Sequence, residues 1–191
     1  MSRVGCRVLI GCLAVLLTLP GGMVDDSPLA SAGKGRKSRT MTRTFSNGAP
    51  IVINASLSAS PFPSRIQVRG FKRARITDVD LVLRGFGHDI PQDVDVLLAA
   101  SDRRNALVMS DVGNAEAQSG LTLRLDDRAA GSMPVDPAPL TGGTFRPTNV
   151  ADNQGADAFD AAYAPSPSGA TALSTFDGIN PNCECLLFVI D

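Results

Sequence analysis

Tryptophan is absent from this chain, tyrosine occurs once, at Tyr163, and histidine once, at His88. Without large rings, a core has to be assembled from Val, Leu, Ile, Ala and Phe, and no interleaved aromatics are present on which bases could stack. A lone histidine confines imidazole acid–base chemistry to one position. No apolar run approaches the roughly 20 residues of a membrane-spanning helix. Also missing are an amphipathic stretch long enough for a parallel-sheet crossover, an internal repeat, a phosphate-cradling Gly loop, a GxSxG elbow and any nucleic-acid motif. Net charge selects no partner class, at a formal −1 over 191 residues.

What the chain does have is short apolar runs punctuated by Gly and Pro, which favours many turns over a few long helices. Strand candidates are "PIVIN" (50–54), "SRIQV" (64–68) and "ITDVDLVLRG", in which Val79, Leu81 and Leu83 face one way and Asp78 and Asp80 the other. After a predicted loop, "GFGHDIPQD", come "VDVLLAA", "NALVMSDVG" and "LTLRLDD". The Pro-, Gly- and Asp-rich stretch 128–169 is too long for a structureless loop in a compact domain, so short strands are expected inside it, near 144–146. "TALSTF" and "CLLFVI" complete the set, and the run 186–190 reads as covered on both faces, hence central in its sheet. The expectation is an all-β domain, an antiparallel sandwich or barrel.

The N-terminus carries Arg3 and Arg7, then an apolar stretch, then small residues ending in "ASA" at 30–32, the order of a secretory signal peptide. Residues 1–32 are therefore expected to be removed on export, 33–43 to form a basic flexible leader, and 44–191 to form the domain, secreted and with no membrane span. "LIGC" at 9–12 resembles a lipoprotein processing box, but the apolar run continues past Cys12. Lys34, Arg36, Lys37, Arg39 and Arg43 could touch an anionic polymer, yet with no basic body behind them they read as a solvated arm, and no nucleic-acid partner is expected. With Cys6 and Cys12 in the signal segment, only Cys183 and Cys185 mature. Two residues apart, they would strain a mutual disulfide, and two ligands do not make a zinc site. "NAS" at Asn54 fits a glycosylation acceptor, a short match that arises readily by chance.

Hydrolytic chemistry would need His88 as base, and Asp89 stands beside it, but no nucleophile motif accompanies them, so no catalytic residue is assigned. Hard oxygen ligands are more plentiful. Asp93, Asp95, Asp152 and Asp157 are the candidates for Ca²⁺, centred on "DNQGADAFD" and the start of "DVDVLL", although no spacing matches an EF-hand and such aspartates also cap turns.

The order of motifs adds a family likeness. "ITDVDLVLRGFGH", then "DVDVLL", then "GINPN" followed by a Cys-x-Leu-x-Val-x-Asp frame, resemble the P domain (homo B) that follows the catalytic domain of proprotein convertases, above all bacterial P-like domains. The likeness covers 44–191 and is strongest over 76–98 and 174–191. It places Ile76, Val79 and Leu81 on the strand before the family's loop histidine, His88 on that histidine, Asp93, Val94, Val96 and Leu98 on the next strand, and Leu187, Val189 and Asp191 on its C-terminal frame. The resemblance implies a jelly-roll-like, galactose-binding-domain-like β-sandwich that supports a protease and does not itself cut. Where the family has Gly-Thr-Trp this chain has Cys183, Glu184 and Cys185, a loss of core volume of the kind that costs about 3–5 kcal/mol. The family also continues past the position of Asp191 into one more strand, so a truncated copy is expected, with an open sheet edge for a protease domain or another chain. The expected function is thus a secreted accessory or interaction module. Its rivals are a fragment of a secreted serine endopeptidase system and a calcium-dependent surface or carbohydrate-binding module.

Overall fold

Strands dominate the computed structural model, which describes residues 15–17, 39–55, 58–150 and 157–191. In chain order they are β1 (Val15–Leu17), β2 (Arg39–Met41), β3 (Ser64–Gln67), β4 (Leu81–His88), β5 (Asp95–Ala100), β6 (Asn105–Ser110), β7 (Gln118–Leu125), β8 (Gly143–Phe145), β9 (Thr148–Asn149) and β10 (Glu184–Ile190). The described helices are two 3-10 turns, Pro91–Asp93 and Leu173–Phe176. β1 and β2 pair antiparallel with each other. The rest form a five-stranded sheet, β3-β10-β5-β6-β9, and a three-stranded sheet, β4-β7-β8.

The all-β expectation is met, but the sheets are mixed, not antiparallel throughout. β8 runs parallel to β7, and β9 parallel to β6. The reason is one stretch of chain that crosses from the edge of the small sheet to the edge of the large one within residues 143–149 and ties the two sheets together along that side. β3 and β4 are left as the opposite edges.

One core joins both sheets. Leu81, Leu83 and Phe86 from β4 and Leu123 and Leu125 from β7 meet Ile66, Val96, Leu98, Val108, Leu187 and Val189 of the large sheet. The outer face of the large sheet is apolar too: Leu97, Ala99, Leu107 and Phe188 pack under Phe159, Ala164 and Phe62, the last edge-on to Phe188 with ring centroids 5.1 Å apart. Burial on both faces explains why β6 has no exposed side chain and why the C-terminal run lacks a polar phase. As predicted, β10 is interior, with β3 on one side and β5 on the other.

Three local readings of the sequence are corrected. Residues 85–88, expected in a loop, belong to β4, because Gly85 at φ 69° takes up a bulge that lets Phe86 still enter the core. "TALSTF" is not a strand: the Asp127 carboxylate accepts the N–H groups of Leu173 (2.9 Å) and Ser174 (2.7 Å), and the turn so started buries Leu173 and Phe176, three apart on one side. "PIVIN" contributes only isolated bridges, among them Val52 with Ser60. In the segment read as a flexible leader, the Arg43 guanidinium lies 5.0 Å from the centre of the Phe71 ring and donates to the Gly70 carbonyl.

Leu123 is fully buried between the sheets. Leu123→Ala is expected to lower unfolding stability by about 2–5 kcal/mol, seen as a fall in urea midpoint with an unchanged slope, whereas Thr122→Ala, on the exposed face of the same strand, leaves it within about 0.5 kcal/mol.

Candidate functional site

Polar chemistry collects at the end of the sheets where β10 finishes. His88, the last residue of β4, directs Nδ1 at the Ile90 carbonyl (2.9 Å) and Nε2 at the Asp191 carboxylate (3.4 Å), both side chains being largely buried. The Ile90 N–H also reaches Nδ1, at 3.3 Å, so that nitrogen is engaged by the Ile90 backbone from both of its polar groups. The Nε2 contact latches the small sheet to Asp191, the residue that follows the large sheet's β10. Asp93 adjoins it, its carboxyl pushed above the usual range by burial and then by the Asp191 charge, against the pull of His88. No hydroxyl or thiol of the described residues hydrogen-bonds to the ring.

At the same end, three carboxylates converge. Asp95, paired with Ile190 across β5 and β10, lies with Asp111 and Asp157 so that one oxygen from each falls within 4.8 Å of the others. Their floor is Ser110, fully buried, whose hydroxyl donates to Asp111 Oδ2 at 2.8 Å and stands 3.1 Å from Asp157 Oδ2. Asp111 follows β6 at φ 56°, a left-handed conformation that Asp tolerates better than most residues, and it turns the side chain back over Ser110. Of the four aspartates proposed from sequence, two meet here, Asp95 and Asp157. Asp93 is elsewhere, beside His88, and Asp152 lies outside the described residues. Asp111 was missed; its signal was "SDVG", an Asp directly after an apolar strand and two residues before a Gly. Three carboxylates with a hydroxyl are a hard-oxygen donor set, of the type Ca²⁺ takes when backbone or water oxygens complete the shell.

A second acidic group occupies the start of β4. Asp80, placed by its spacing on the face opposite Val79 and Leu81, is buried as well: Arg124 donates to its Oδ2 at 2.8 Å, while Oδ1 has no hydrogen-bond partner. Burial first, then the charge of Asp126, lifts the Asp80 carboxyl from 3.8 to about 6, against the pull of Arg124. Close by, Asp78, paired with Arg128 at 2.7 Å, lines a crevice of about 260 Å³ with Asp127 and Asp177. The Asp177 carboxyl is also raised, by burial and then by Asp78 and Asp127.

At the opposite end of β10, Cys183 and Cys185 form no disulfide and share a side-chain hydrogen bond. That bond, reinforced by burial, pushes the Cys183 thiol up. Both line an apolar cavity of about 20 Å³ with Ile76, Val79, Leu98, Phe176 and Ile179. Asn182, just before them, was also missed: its side chain accepts from the Phe71 N–H at 2.9 Å and donates to the Phe71 carbonyl at 2.7 Å, joining residues 111 positions apart.

No family model, no curated protein and no solved structure matches this chain. The likeness to P domains rests on the quoted residues alone.

The raised carboxyls fix the sign of a pH effect. A carboxyl whose folded pKa lies above its unfolded value contributes stability while protonated and loses it as pH rises through the folded value. Between about pH 4 and pH 6 the native Asp80 holds more proton than the unfolded chain, so stability falls as pH climbs through that window. Asp80→Asn is expected to flatten the profile there and to raise stability relative to the parent above pH 7. Urea unfolding at half-unit pH steps checks this, and an unchanged slope in the variant would count against it.

Proposed function

We propose that this chain is a non-catalytic accessory module of P-domain type: a secreted, jelly-roll-like β-sandwich that acts by contact with a protease or another chain. The observation that carries the reading is the engagement of the only histidine. Its two ring nitrogens are directed at the Ile90 backbone and the Asp191 carboxylate, an arrangement that holds the residue following β10, and no hydroxyl or thiol of the described residues bonds to either nitrogen. The surface best suited to a partner strand is the outer edge of β4, which has β7 on one side and no second strand among the described residues. Irregular register around Gly85 and Phe86 disfavours pairing along the second half of that edge, so the first half, Leu81 to Arg84, is the part open to addition. The same features accommodate the rival reading, a fragment of a secreted serine endopeptidase system, in which the catalytic residues belong to another domain.

The convergence of Asp95, Asp111 and Asp157 favours a second, compatible reading, that Ca²⁺ fixes the segment carrying Asp157 against the end of β6. In such a module a cation acts as a staple, and a surface or carbohydrate-binding role would be built on the segment it orders.

Two measurements test these readings. Purified chain is expected to cleave fluorogenic peptides no faster than its His88→Ala variant does; turnover that disappears with that substitution would refute the contact-only role. Ca²⁺ at about 100 times its dissociation constant is expected to stabilise the parent by about 2.7 kcal/mol, read as a rise in melting temperature, and Asp111→Asn with Asp157→Asn to abolish the rise. A rise that survives both substitutions would place the ion elsewhere.

A further inference from the structure

Cys183 and Cys185 are placed by backbone as well as by sequence. Cys185 is held in β10 between Ile66 of β3 and Ala100 of β5. The Val68 N–H donates to the Cys183 carbonyl at 2.9 Å, which carries the β3–β10 ladder one residue further, and the Gln67 side chain donates to the same oxygen at 3.2 Å. Cys183 itself lies in a bend just before β10, its N–H donating to the Pro181 carbonyl at 2.9 Å, but Glu184 between the two cysteines is in the strand, and residues that flank an extended residue point to the same side. Both thiols accordingly reach the same apolar cavity and hydrogen-bond to each other.

This geometry discriminates between the things two thiols can do. An extended chain separates residues two apart by about 6.4–6.8 Å, at the long end of the roughly 4.4–6.8 Å that a disulfide tolerates between α-carbons. With both residues pinned by ladder bonds, the backbone has little freedom to shorten that span. A four-ligand zinc site is excluded on different grounds. The one set of three potential ligands found among the described residues is the aspartate group at the far end of β10, so no described residue supplies the third and fourth positions. Two adjacent sulfurs bordering a small apolar space suit an ion that is soft, prefers thiolates and accepts only two ligands.

We propose that Cys183 and Cys185 form a two-thiolate site for a soft monovalent cation of the copper(I) class. On binding, two S–H bonds break and two sulfur–metal bonds form. Both protons pass to solvent, and no electron is transferred. Ile76, Val79, Leu98, Phe176 and Ile179 supply a lining with no side-chain oxygen or nitrogen, which keeps water and hard ligands from competing at the ion. The half-buried position of both cysteines leaves the cavity a way in from solvent.

The test uses the full chain, without a histidine tag, with Cys6 and Cys12 replaced by serine so that only this pair remains. Reduced protein is titrated anaerobically against Cu(I) held by a chromophoric chelator. The expected result is withdrawal of one Cu(I) per chain, lost in Cys183→Ser and lost again in Cys185→Ser. Cys185→Ala, which keeps an apolar lining, guards against loss through unfolding: it is expected to unfold at a urea concentration near the parent's while failing to take up copper. Failure of the parent to compete with the chelator, retention of the ion by any single-cysteine variant, or oxidation to a species two hydrogens lighter that holds no copper would each overturn the proposal.

Discussion

The structure depends on β10 being inserted between β3 and β5. Its backbone pairs on both edges. Its side chains are buried on alternate faces, Leu187 and Val189 toward the small sheet and Phe188 toward the covering loops. An antiparallel sheet with one wet face can be built from an alternating pattern, but a strand with two dry faces must be apolar at nearly every position. That requirement explains the only unbroken aliphatic and aromatic run in the last part of the chain. It also means that a strand more than 80 residues from its neighbour β5 completes the sheet, so the fold closes through long-range pairing and not through adjacent hairpins alone.

Burial on this scale has an electrostatic consequence at the margins. Asp80 sits where an outward-facing carboxylate would normally be wet, yet Arg124 covers one oxygen and leaves the other without a partner. Desolvation and the neighbouring Asp126 outweigh the arginine, and the carboxyl is raised in consequence. Asp93 and Asp177 move in the same direction, each with burial as its largest cause and another aspartate next. Asp80, Asp93 and Asp177 are thus partly held against their own charge, a condition that protons relieve.

Much of this was legible in advance where the signal was periodic and local. The runs forming β3, β5, β6, β7 and β10 declared themselves by apolar spacing, and the double coverage of 186–190 followed from its lack of a polar phase. What escaped were features decided by distant groups. "TALSTF" has strand-like composition, and only the Asp127 carboxylate, 46 residues away, makes it a helical turn. Gly85 looks like a loop glycine until a core site for Phe86 turns it into a bulge. Parallel pairing of β8 and β9 depends on how one short segment crosses between sheets, for which the sequence carries no local mark. At the candidate cation site Asp95 and Asp157 were readable as acidic residues in suitable places. Asp111 was not, because it joins them through the end of β6 and the Ser110 hydroxyl and not through sequence proximity.

The polar features also share a cause in the geometry of β10. Its two ends are the places where an otherwise dry strand must meet solvent, and at each end a flanking residue holds another element: the Asp191 side chain meets His88 of β4, and the Cys183 backbone carbonyl accepts from Val68 just beyond β3. Between them, no functional group could be accommodated without a partner, since an isolated polar atom on β10 would lose its hydration on either face. Chemistry is therefore displaced to the ends. The oxygen donors lie at one end, beside strand termini from three segments. The sulfur donors lie at the other, against the core itself, and the two ends accordingly offer donor sets of opposite hardness on a single strand.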